Sequence, residues 1–398
     1  MTERDARGAA PEPCTLSTLD AARDAVRRLV RPGVATLTRL DRVRNLRLTN
    51  DVVTRQALPP FDNAAMDGFA VCTADIRGAP GSLDVAEAHP ICTGMPVPTG
   101  TDAVIPIERT RRSGGRLLID GAVHPGDHIR RAGEELAAGG IALKAGARLT
   151  PAAIGLLAAI GVSAAPVIPR PRVAVLVTGD EVVDAADELL PGQIHDADGP
   201  LLCALLEESG AEVVALEHAC DDPSQIGRVL AQMAASADMV CTTGGASVGS
   251  RDHLIDQLGA LGTIAVHQIA IRPGRPTSMG LIGTTPVFVL PGNPLALLVG
   301  FEALVRPGVR SLTGDPEILR PSRVCVAGEA IPRHDRLSLV LVRLRPGSPP
   351  IAVGVRLQGS AMLAGAALAD GLALVEAGRG VVAPGESLKV ERWIPSIE

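Results

Sequence analysis

Residues 172–181 read RVAVLVTGDE, a nearly continuous apolar run that ends in a polar loop. Three later runs repeat this pattern: EVVALEHACDD (212–222), DMVCTTGGASVG (238–249) and PVFVLPGNP (286–294). Buried strands that alternate with amphipathic helices predict an α/β domain whose parallel sheet carries helices on both faces. The segments with helical spacing lie at 200–209, 224–235, 252–261 and 295–312.

Outside this domain the sequence predicts three further parts. Short apolar runs separated by glycine and proline indicate a β-rich domain in the first half of the chain and a C-terminal domain that resembles a β-barrel. Ser17 and Asp20 resemble a capping box that begins an N-terminal helix, which should stop at Pro32. The predicted domains are a discontinuous helical and linker domain (14–60 with 147–170), the β-rich domain (61–146), the α/β domain (171–315) and the C-terminal β domain (316–398).

The composition argues against several classes of protein. The 398 residues include 38 Lys plus Arg against 44 Asp plus Glu, a net charge of −6, with few aromatic side chains. Non-specific binding of nucleic acid or anionic membranes needs a basic surface, so neither partner is expected. Prolines and glycines interrupt the uncharged stretch 150–169, which favours a short buried helix followed by a strand over a membrane span. A cytoplasmic protein is expected, because the N-terminus lacks a signal-like apolar core and the scattered cysteines form no C-x-x-C pair.

Polar loops should gather at one edge of the α/β sheet, since open α/β sheets bind ligands beyond the carboxyl ends of their strands. Amides of TTGGASVG (242–249) could hold a phosphate or another oxyanion there, although tight-turn chemistry alone would also explain the glycines. In PGNP (291–294) an asparagine cap and a first-position proline would suit a helix start and equally an anion site. Carboxylates beside a phosphate suggest Mg²⁺, but charged loops also serve solubility alone. The carboxylates in question are Asp180, Glu181, Asp196, Asp198, Asp221, Asp222 and Asp252.

Two further segments could carry chemistry. RPGRP (272–276) places two arginines on a rigid turn, where their planar forks could grip a phosphate or a tetrahedral oxyanion, or could simply be solvated. FDNAAMDGFAV (61–71) sets two carboxylates, an amide and a glycine around apolar side chains, which exceeds what turn chemistry alone requires. The sequence contains no G-x-S-x-G nucleophile signature and no histidine pair at metal-ligand spacing.

Taken together, these motifs resemble those of the molybdopterin molybdenumtransferases, enzymes of molybdenum-cofactor synthesis related to the E domain of gephyrin. The matches follow the family's order from about Ser17 to the C-terminus. They are FDNAAMDGFAV, CTGMPVPTGTDAV, RRAGEELAAGG, TGDEVV, HDADGPLL, DDP, TTGGASVGSRDH, IRPGRPTSMG, LPGNPLALLVGFEALVRP and QGS.

The resemblance implies insertion of molybdate into the dithiolene of adenylylated molybdopterin, with release of AMP and assistance by Mg²⁺. It also implies an elongated four-domain homodimer whose cleft lies between the α/β domain of one subunit and the β-rich domain of the other, with the pathway's adenylyltransferase as a candidate partner. The candidate catalytic residues are Asp67, Thr93, Glu135, Asp221 and Arg272; the metal ligands are Glu181 and Asp252; the substrate-binding residues are Gly179, Asp180, Asp196, Gly244, Gly245, Ser247, Gly249, Arg275, Pro291, Gly292, Asn293 and Pro294.

Several positions depart from the family pattern. Glu135 stands where the family has aspartate, and Arg272 and Arg275 replace two lysines with retention of charge. Gln268 aligns with another family lysine and supplies no cation, and Asp198 replaces an asparagine and adds negative charge near an anionic ligand. One alternative is therefore a catalytically weakened molybdopterin-binding or scaffold paralogue. Another is an adenylyltransferase similar to the central domain alone, which the FDNAAMDG motif and the flanking β segments count against.

Overall fold

The chain forms two compact units: unit 1 consists of residues 1–34 and 169–398, and unit 2 of residues 35–168. The predicted division into four domains stays a prediction. The computed structural model describes residues 16–78, 81–244, 253–356, 359 and 362–393. The helices are α1 (Leu19–Leu29), α2 (Pro151–Ala159), α3 (Asp198–Ser209), α4 (Pro223–Ser236), α5 (His253–Leu261), α6 (Pro294–Gly300), α7 (Arg306–Leu312) and α8 (Leu363–Ala367), with a π-helical turn at Phe301–Val305 and 3₁₀ turns at Leu40–Arg42, Thr73–Asp75, Val85–Glu87 and Ile107–Arg109.

Unit 2 consists of short strands in small sheets. β6, β4 and β7 form one three-stranded antiparallel sheet and β5, β9 and β8 form another, while β1 pairs with β12, β2 with β11 and β3 with β10. Helix α2 followed by β12 confirms the helix and strand expected over 150–169, but the expectation of a buried helix is wrong, since Leu157 is the one buried residue of α2. The strands are β1 (Thr36–Arg39), β2 (Val52–Val53), β3 (Asn63–Ala64), β4 (Gly68–Val71), β5 (Ser82–Asp84), β6 (His89–Ile91), β7 (Ala103–Pro106), β8 (Thr110–Ser113), β9 (Arg116–Ile119), β10 (Ile129–Arg130), β11 (Ile141–Leu143) and β12 (Ala164–Val167).

Unit 1 contains the α/β sheet, whose strand order is β16-β13-β17-β21-β20-β18. The first four strands pair in parallel, and β20 pairs antiparallel with both of its neighbours, β21 and β18. A two-residue turn containing Gly283, at a φ of 58°, joins β20 to β21, and so short a connection allows only antiparallel pairing. In this part of the chain β14 and β15 pair with each other, and β19 pairs outside the α/β sheet. The strands from 172 to 290 are β13 (Arg172–Thr178), β14 (Val182–Val183), β15 (Ile194–His195), β16 (Glu212–Ala219), β17 (Met239–Thr243), β18 (Thr263–Val266), β19 (Ile271–Arg272), β20 (Ser278–Ile282) and β21 (Thr285–Leu290).

Helices cover both faces of this sheet, as the sequence predicts. Val173, Val175 and Val177 of β13 belong to the same apolar core as α3, whereas Ala174 and Leu176 point to the core under α4 and α5. Burial of each valine or leucine stabilises the fold by roughly 1.5–3 kcal/mol, so the continuous apolar runs are what fix the central strands. None of the helices in the described ranges combines the length and the apolar character that crossing a bilayer requires.

The C-terminal strands close into a five-stranded barrel in the order β24-β25-β22-β28-β26, because β24 also pairs with β26. The long strand β24 makes this closure possible, since its first half (338–342) pairs with β26 and its second half (342–345) pairs with β25. The predicted barrel-like domain is confirmed. The strands are β22 (Ser322–Ala327), β23 (Ile331–Pro332), β24 (Leu337–Arg345), β25 (Ile351–Gly354), β26 (Gly371–Val375), β27 (Val381–Val382) and β28 (Ser387–Arg392).

Helix α1 packs within unit 1. Its cap is Thr18, whose hydroxyl accepts a hydrogen bond from the amide of Ala21, so the prediction of a capping box at Ser17 is wrong by one residue. Ser17 instead forms a β-bridge with Ile269. The guanidinium of Arg23 lies 3.5 Å from Glu391, so α1 and the last barrel strand share a buried ion pair.

Candidate functional site

Three glycine-containing loops meet where β13, β17 and β21 end, at what we call the carboxyl edge. The hydroxyl of Thr178 donates to the carbonyl of Thr243 at 3.3 Å. Gly244 has a φ of 90°, and a Cβ atom there would collide with the carbonyl of Thr178. A Cβ atom on Gly292 would lie 3.1 Å from the Cα of Gly244. Glycine at positions 244 and 292 therefore lets the loops after β17 and β21 approach each other and the end of β13 this closely.

Three exposed carboxylates lie along the same edge. The carboxylate of Asp180 accepts a hydrogen bond from the amide of Asp221 at 3.1 Å, which ties the loop after β13 to the loop after β16. The carboxylate of Glu181 folds back over Gly179, 3.0 Å from where a Cβ atom would stand. The structure therefore brings six of the predicted residues together at the carboxyl edge: Gly179, Asp180, Glu181, Asp221, Gly244 and Gly292.

These carboxylates do not form a complete metal site. Within the described ranges, no three His, Cys, Asp or Glu side chains gather closely enough to hold one metal ion. Mg²⁺ is usually bound by one or two carboxylates together with substrate phosphates and water. Glu181 and its neighbours fit an ion that arrives with a nucleotide better than a resident ion. The second predicted ligand, Asp252, lies outside the described residues, as do the predicted binding residues Gly245, Ser247 and Gly249.

Asp196 is buried and structurally committed. One of its oxygens accepts from the amide of Gly199 at 2.8 Å, and the other lies 2.9 Å from Nε2 of His218 on β16. Sequence reasoning missed His218, because a single histidine on a strand gives no signal until the fold shows what faces it. Asp196 therefore anchors the start of α3 to β16.

Asp198 is the least conventional carboxyl group of this region. Its side chain is buried at the first turn of α3, and its Oδ2 lies 2.8 Å from the hydroxyl of Thr243. Burial raises the pKa of Asp198 to about 7; the Thr243 hydrogen bond opposes this rise and the charge of Asp196 adds to it. The start of a helix favours a carboxylate by about 1 kcal/mol, less than the roughly 4 kcal/mol that separates this pKa from 3.8.

The PGNP segment begins α6. Pro294 occupies the first helical position, as predicted. Asn293 stands at the cap position, as predicted, although its side chain makes no cap hydrogen bond. Asn293 and Gly292 are both exposed to solvent, whereas Pro291 is buried.

Both arginines of RPGRP are exposed. Nη1 of Arg272 lies 3.3 Å from Nδ1 of His334, which comes from the segment before the barrel strand β24. Nε of Arg275 donates to the side-chain oxygen of Gln268 at 3.0 Å. Gln268, which supplies no charge itself, thus orients a neighbouring cation.

In unit 2, Asp67 immediately precedes β4 and is paired with Thr93. One carboxylate oxygen of Asp67 accepts from the amide of Thr93 at 2.6 Å and from its hydroxyl at 2.9 Å. The backbone hydrogen bond first and the hydroxyl second hold the pKa of Asp67 below its usual value. Both residues are exposed, so an ionised and oriented carboxylate faces solvent.

The other acidic residues of unit 2 differ in how firmly they are held. Asp62 accepts from the amide of Ala132 at 2.8 Å and from Arg131 at 2.7 Å, and these bonds lower its pKa. Glu135 is exposed, and its amide donates to the carbonyl of Leu58. Asp62 therefore shapes the loop, whereas the Glu135 side chain is available to a ligand.

Three family profiles match the chain in sequence order. Residues 17–161 match the MoeA N-terminal region (domain I and II), residues 174–311 match a probable molybdopterin binding domain, and residues 325–393 match the MoeA C-terminal region (domain IV).

Individual proteins are similar over most of the chain. It is 40% identical over 337 residues to molybdopterin molybdenumtransferase 2 of Mycobacterium tuberculosis, covering 78% of this chain and 82% of that relative. It is 31% identical over 397 residues to the molybdopterin molybdenumtransferase of Haemophilus influenzae, covering 94% and 98%. The solved molybdopterin biosynthesis MoeA protein of Pyrococcus horikoshii superposes with a TM-score of 0.78 at 29% identity, covering 96% of this chain and 100% of that one.

Proposed function

The chain belongs to the molybdopterin molybdenumtransferase family, and we propose that it inserts molybdate into adenylylated molybdopterin with release of AMP. This reaction is a step of molybdenum cofactor biosynthesis, and the protein is a transferase. The observation that carries the proposal is the meeting of three glycine-containing loops at the carboxyl edge, where backbone amides can bind the phosphate of the adenylate.

Positioning and electrostatics account for the chemistry, because ligand exchange at molybdenum and cleavage of a phosphoanhydride need no protein nucleophile. Gly179, Gly244 and Gly292 let the loop amides approach the phosphate. Arg272 and Arg275 are exposed cations suited to molybdate, a tetrahedral dianion. Residues that also contact the substrate in this proposal are Asp180, Asp221, Gly245, Ser247, Gly249, Pro291, Asn293 and Pro294, whereas Asp196 acts indirectly by holding the start of α3.

Asp67, Thr93 and Glu135 act from unit 2. Thr93 keeps the Asp67 carboxylate ionised and oriented, so Asp67 can accept a hydrogen bond from the pterin or order the water around molybdate. Glu135 contributes a second exposed carboxylate. We propose a homodimer in which these residues belong to the partner copy and complete the cleft.

Mg²⁺ is part of the proposal. When bound, it would neutralise phosphate charge and favour departure of AMP. Glu181 and Asp252 would hold the ion together with the nucleotide. The chain itself supplies the loop amides that bind the phosphate. The close approach of the loops at the carboxyl edge supports this part of the proposal.

Cellular context completes the proposal. The protein works in the cytoplasm, and an adenylyltransferase of the same pathway supplies its substrate. A direct contact with that enzyme would spare the adenylate from hydrolysis in transit.

Purified protein incubated with adenylylated molybdopterin, molybdate and Mg²⁺ tests the reaction. AMP should appear in step with molybdenum-loaded cofactor, and AMP release should fall when molybdate is omitted. A second candidate, a catalytically weakened molybdopterin-binding or scaffold paralogue, is favoured by the neutral Gln268 beside Arg275. Retention of the adenylate without AMP release would select that candidate.

A further inference from the structure

The Asp198 side chain is enclosed where α3 begins and where β17 and β21 end. We propose that Asp198 is a positioning residue that works as a neutral acid: its proton bonds to the Thr243 hydroxyl, which then donates to the Pro291 carbonyl. This short chain of hydrogen bonds joins the ends of two neighbouring strands directly beside Gly244 and Gly292. It would hold the anion-binding loops in place without putting a negative charge next to them.

The number of hydrogens at Thr243 supports this assignment. Its hydroxyl oxygen lies 2.8 Å from Oδ2 of Asp198 and 3.3 Å from the carbonyl oxygen of Pro291. A hydroxyl carries one hydrogen, so it cannot make a full hydrogen bond to two acceptors at once. A proton on Asp198 removes the conflict, because the hydroxyl oxygen then accepts from the acid and its hydrogen goes to Pro291.

The remaining oxygen of Asp198 points to the same conclusion. Oδ1 is buried and has no hydrogen-bond partner among the residues that the structure describes. A buried carboxylate needs several donors, and an orphaned charged oxygen is far more costly than the carbonyl of a neutral acid. Asp198 itself is only 8% exposed, so bulk solvent does little to stabilise a charge on it.

The charges around Asp198 also favour the neutral form. The carboxylate of Asp196, two residues earlier, raises the pKa of Asp198 through its negative charge. The nearby basic side chain, His218 on β16, is paired with Asp196 and not with Asp198. Helix α6, which also packs on α3, has no charged residue, and Arg306 of α7 is engaged by Glu302. The loop after β13 adds only acidic groups, which belong to the carboxyl edge. With the pKa of Asp198 raised to about 7 by burial and by Asp196, the proton is retained below neutral pH, half lost near pH 7 and lost above it.

Denaturation across pH measures this proton without reference to any ligand. Asp198→Asn keeps the size and supplies an amide donor to Thr243, so it should be more stable than the wild type at pH 8.5. Because the pKa of Asp198 is higher in the folded than in the unfolded chain, wild-type stability should decline between pH 4 and about 7. The urea midpoint of Asp198→Asn minus that of the wild type should therefore grow from pH 5.5 to 7.5 and then level off.

Asp222→Asn is the matched control. Asp222 is an exposed helix cap with a lowered pKa, so it is ionised in both the folded and the unfolded chain over this pH range. The difference in urea midpoint between Asp222→Asn and the wild type should therefore not change with pH. An Asp198→Asn difference that is equally flat would overturn the proposal. If the variant fails to fold, infrared spectroscopy of the wild type decides instead: a protonated-carboxyl band should vanish as pH rises through 7, and its absence at pH 6 would overturn the proposal.

AMP binding tests the positioning role, and this arm rests on the proposed function. The affinity of the wild type, divided by that of Asp198→Asn, should fall by up to about tenfold per pH unit above 7. The ratio cancels the titration of AMP itself, and a ratio that stays constant from pH 6 to 8.5 would contradict the positioning role. If AMP binds to neither protein, the proposed ligand is wrong, while the denaturation and infrared results still decide the protonation of Asp198.

Discussion

Asp67 shows how two hydrogen bonds from one neighbour can fix the charge and direction of an exposed side chain. The amide and hydroxyl of Thr93 both donate to the same carboxylate oxygen, so the other oxygen is available to a ligand. An exposed carboxylate without such donors would rotate freely and would order a substrate less well. Asp67 is therefore suited to stabilise or orient a ligand through its fixed negative charge, and not to transfer a proton near neutral pH.

Replacement of Asp67 by alanine should reduce molybdenum insertion by at least about a hundredfold, because a preorganised charge is lost from the reacting region. Asp120→Ala removes an exposed carboxylate from the same unit and should leave the rate unchanged. The readout is molybdenum-loaded cofactor formed per minute by the two variants. Equal rates for Asp67→Ala and the wild type would remove Asp67 from the proposed site.

Gly244→Ala should destabilise unit 1 by roughly 3 kcal/mol or more, because the new Cβ meets the carbonyl of Thr178 at a φ that alanine disfavours. Gly259→Ala is the matched control. Gly259 lies within α5, and a Cβ atom there would make only an ordinary van der Waals contact with Ile264. The control should be neutral or slightly stabilising. Urea denaturation of the two variants compares them, and similar midpoints would show that the loops do not need to approach this closely.

At this scale the sequence predicts which side chains matter better than it predicts their state. The motif around Asp67 and the glycines of the carboxyl edge could be identified from residue type and order. The burial of Asp198 and the partnership of Asp196 with His218 could not, because both depend on strands that are distant in sequence. Whether a carboxyl group carries a charge depends on the residues that surround it in the fold, and these cannot be read from the sequence segment that contains it.

At the level of elements, the π-helical turn between α6 and α7 carries Glu302 into a buried group of charges. Both Arg306 and Arg320 hydrogen bond to Glu302, and both also reach Glu208 on α3. Burial alone would raise the pKa of Glu302, but the hydrogen bonds and charges of the two arginines outweigh it and lower that pKa. Arg320 also donates to the carbonyl of Trp393, so this group joins the α/β sheet's helices to the end of the barrel.

Glu302→Ala should lower the free energy of unfolding by about 3–5 kcal/mol, since it leaves buried guanidinium groups without their shared partner. The lowered pKa means that this contribution is present above pH 4.5 and is lost as pH falls through the folded-state value. Glu317→Ala, at an exposed position, should change stability by less than about 0.5 kcal/mol. Thermal denaturation at pH 7 and at acid pH should show the gap between the two variants narrowing in acid.

The elements themselves were largely predictable. Helices α3 and α4 begin and end within two residues of the predicted segments, because their apolar spacing is regular. Strands β18 and β20 were missed: β18 has four residues, three of them exposed, and β20 contains a serine and a glycine that interrupt its apolar run. The predicted helix over 295–312 exists as three consecutive helical pieces, a distinction that sequence periodicity does not make.

For the whole molecule, co-expression of two inactive variants tests whether the cleft is shared between copies. Asp67→Ala disables unit 2 and Asp221→Ala disables unit 1. If one copy's unit 1 works with its partner's unit 2, mixed dimers contain one intact cleft, and random pairing should restore about a quarter of wild-type activity. Each variant alone is the control, and no recovery on mixing would place both units of a working cleft in the same copy.

The ion pair between Arg23 and Glu391 has a consequence for biosynthesis. Helix α1 must wait for the last barrel strand before its buried guanidinium finds its carboxylate partner, whereas unit 2 is complete once residue 168 has left the ribosome. The middle of the polypeptide can therefore mature while its beginning is still unfinished. Truncations near the C-terminus should accordingly release chains in which a protease-resistant fragment from the first half survives and the N-terminal helix is digested.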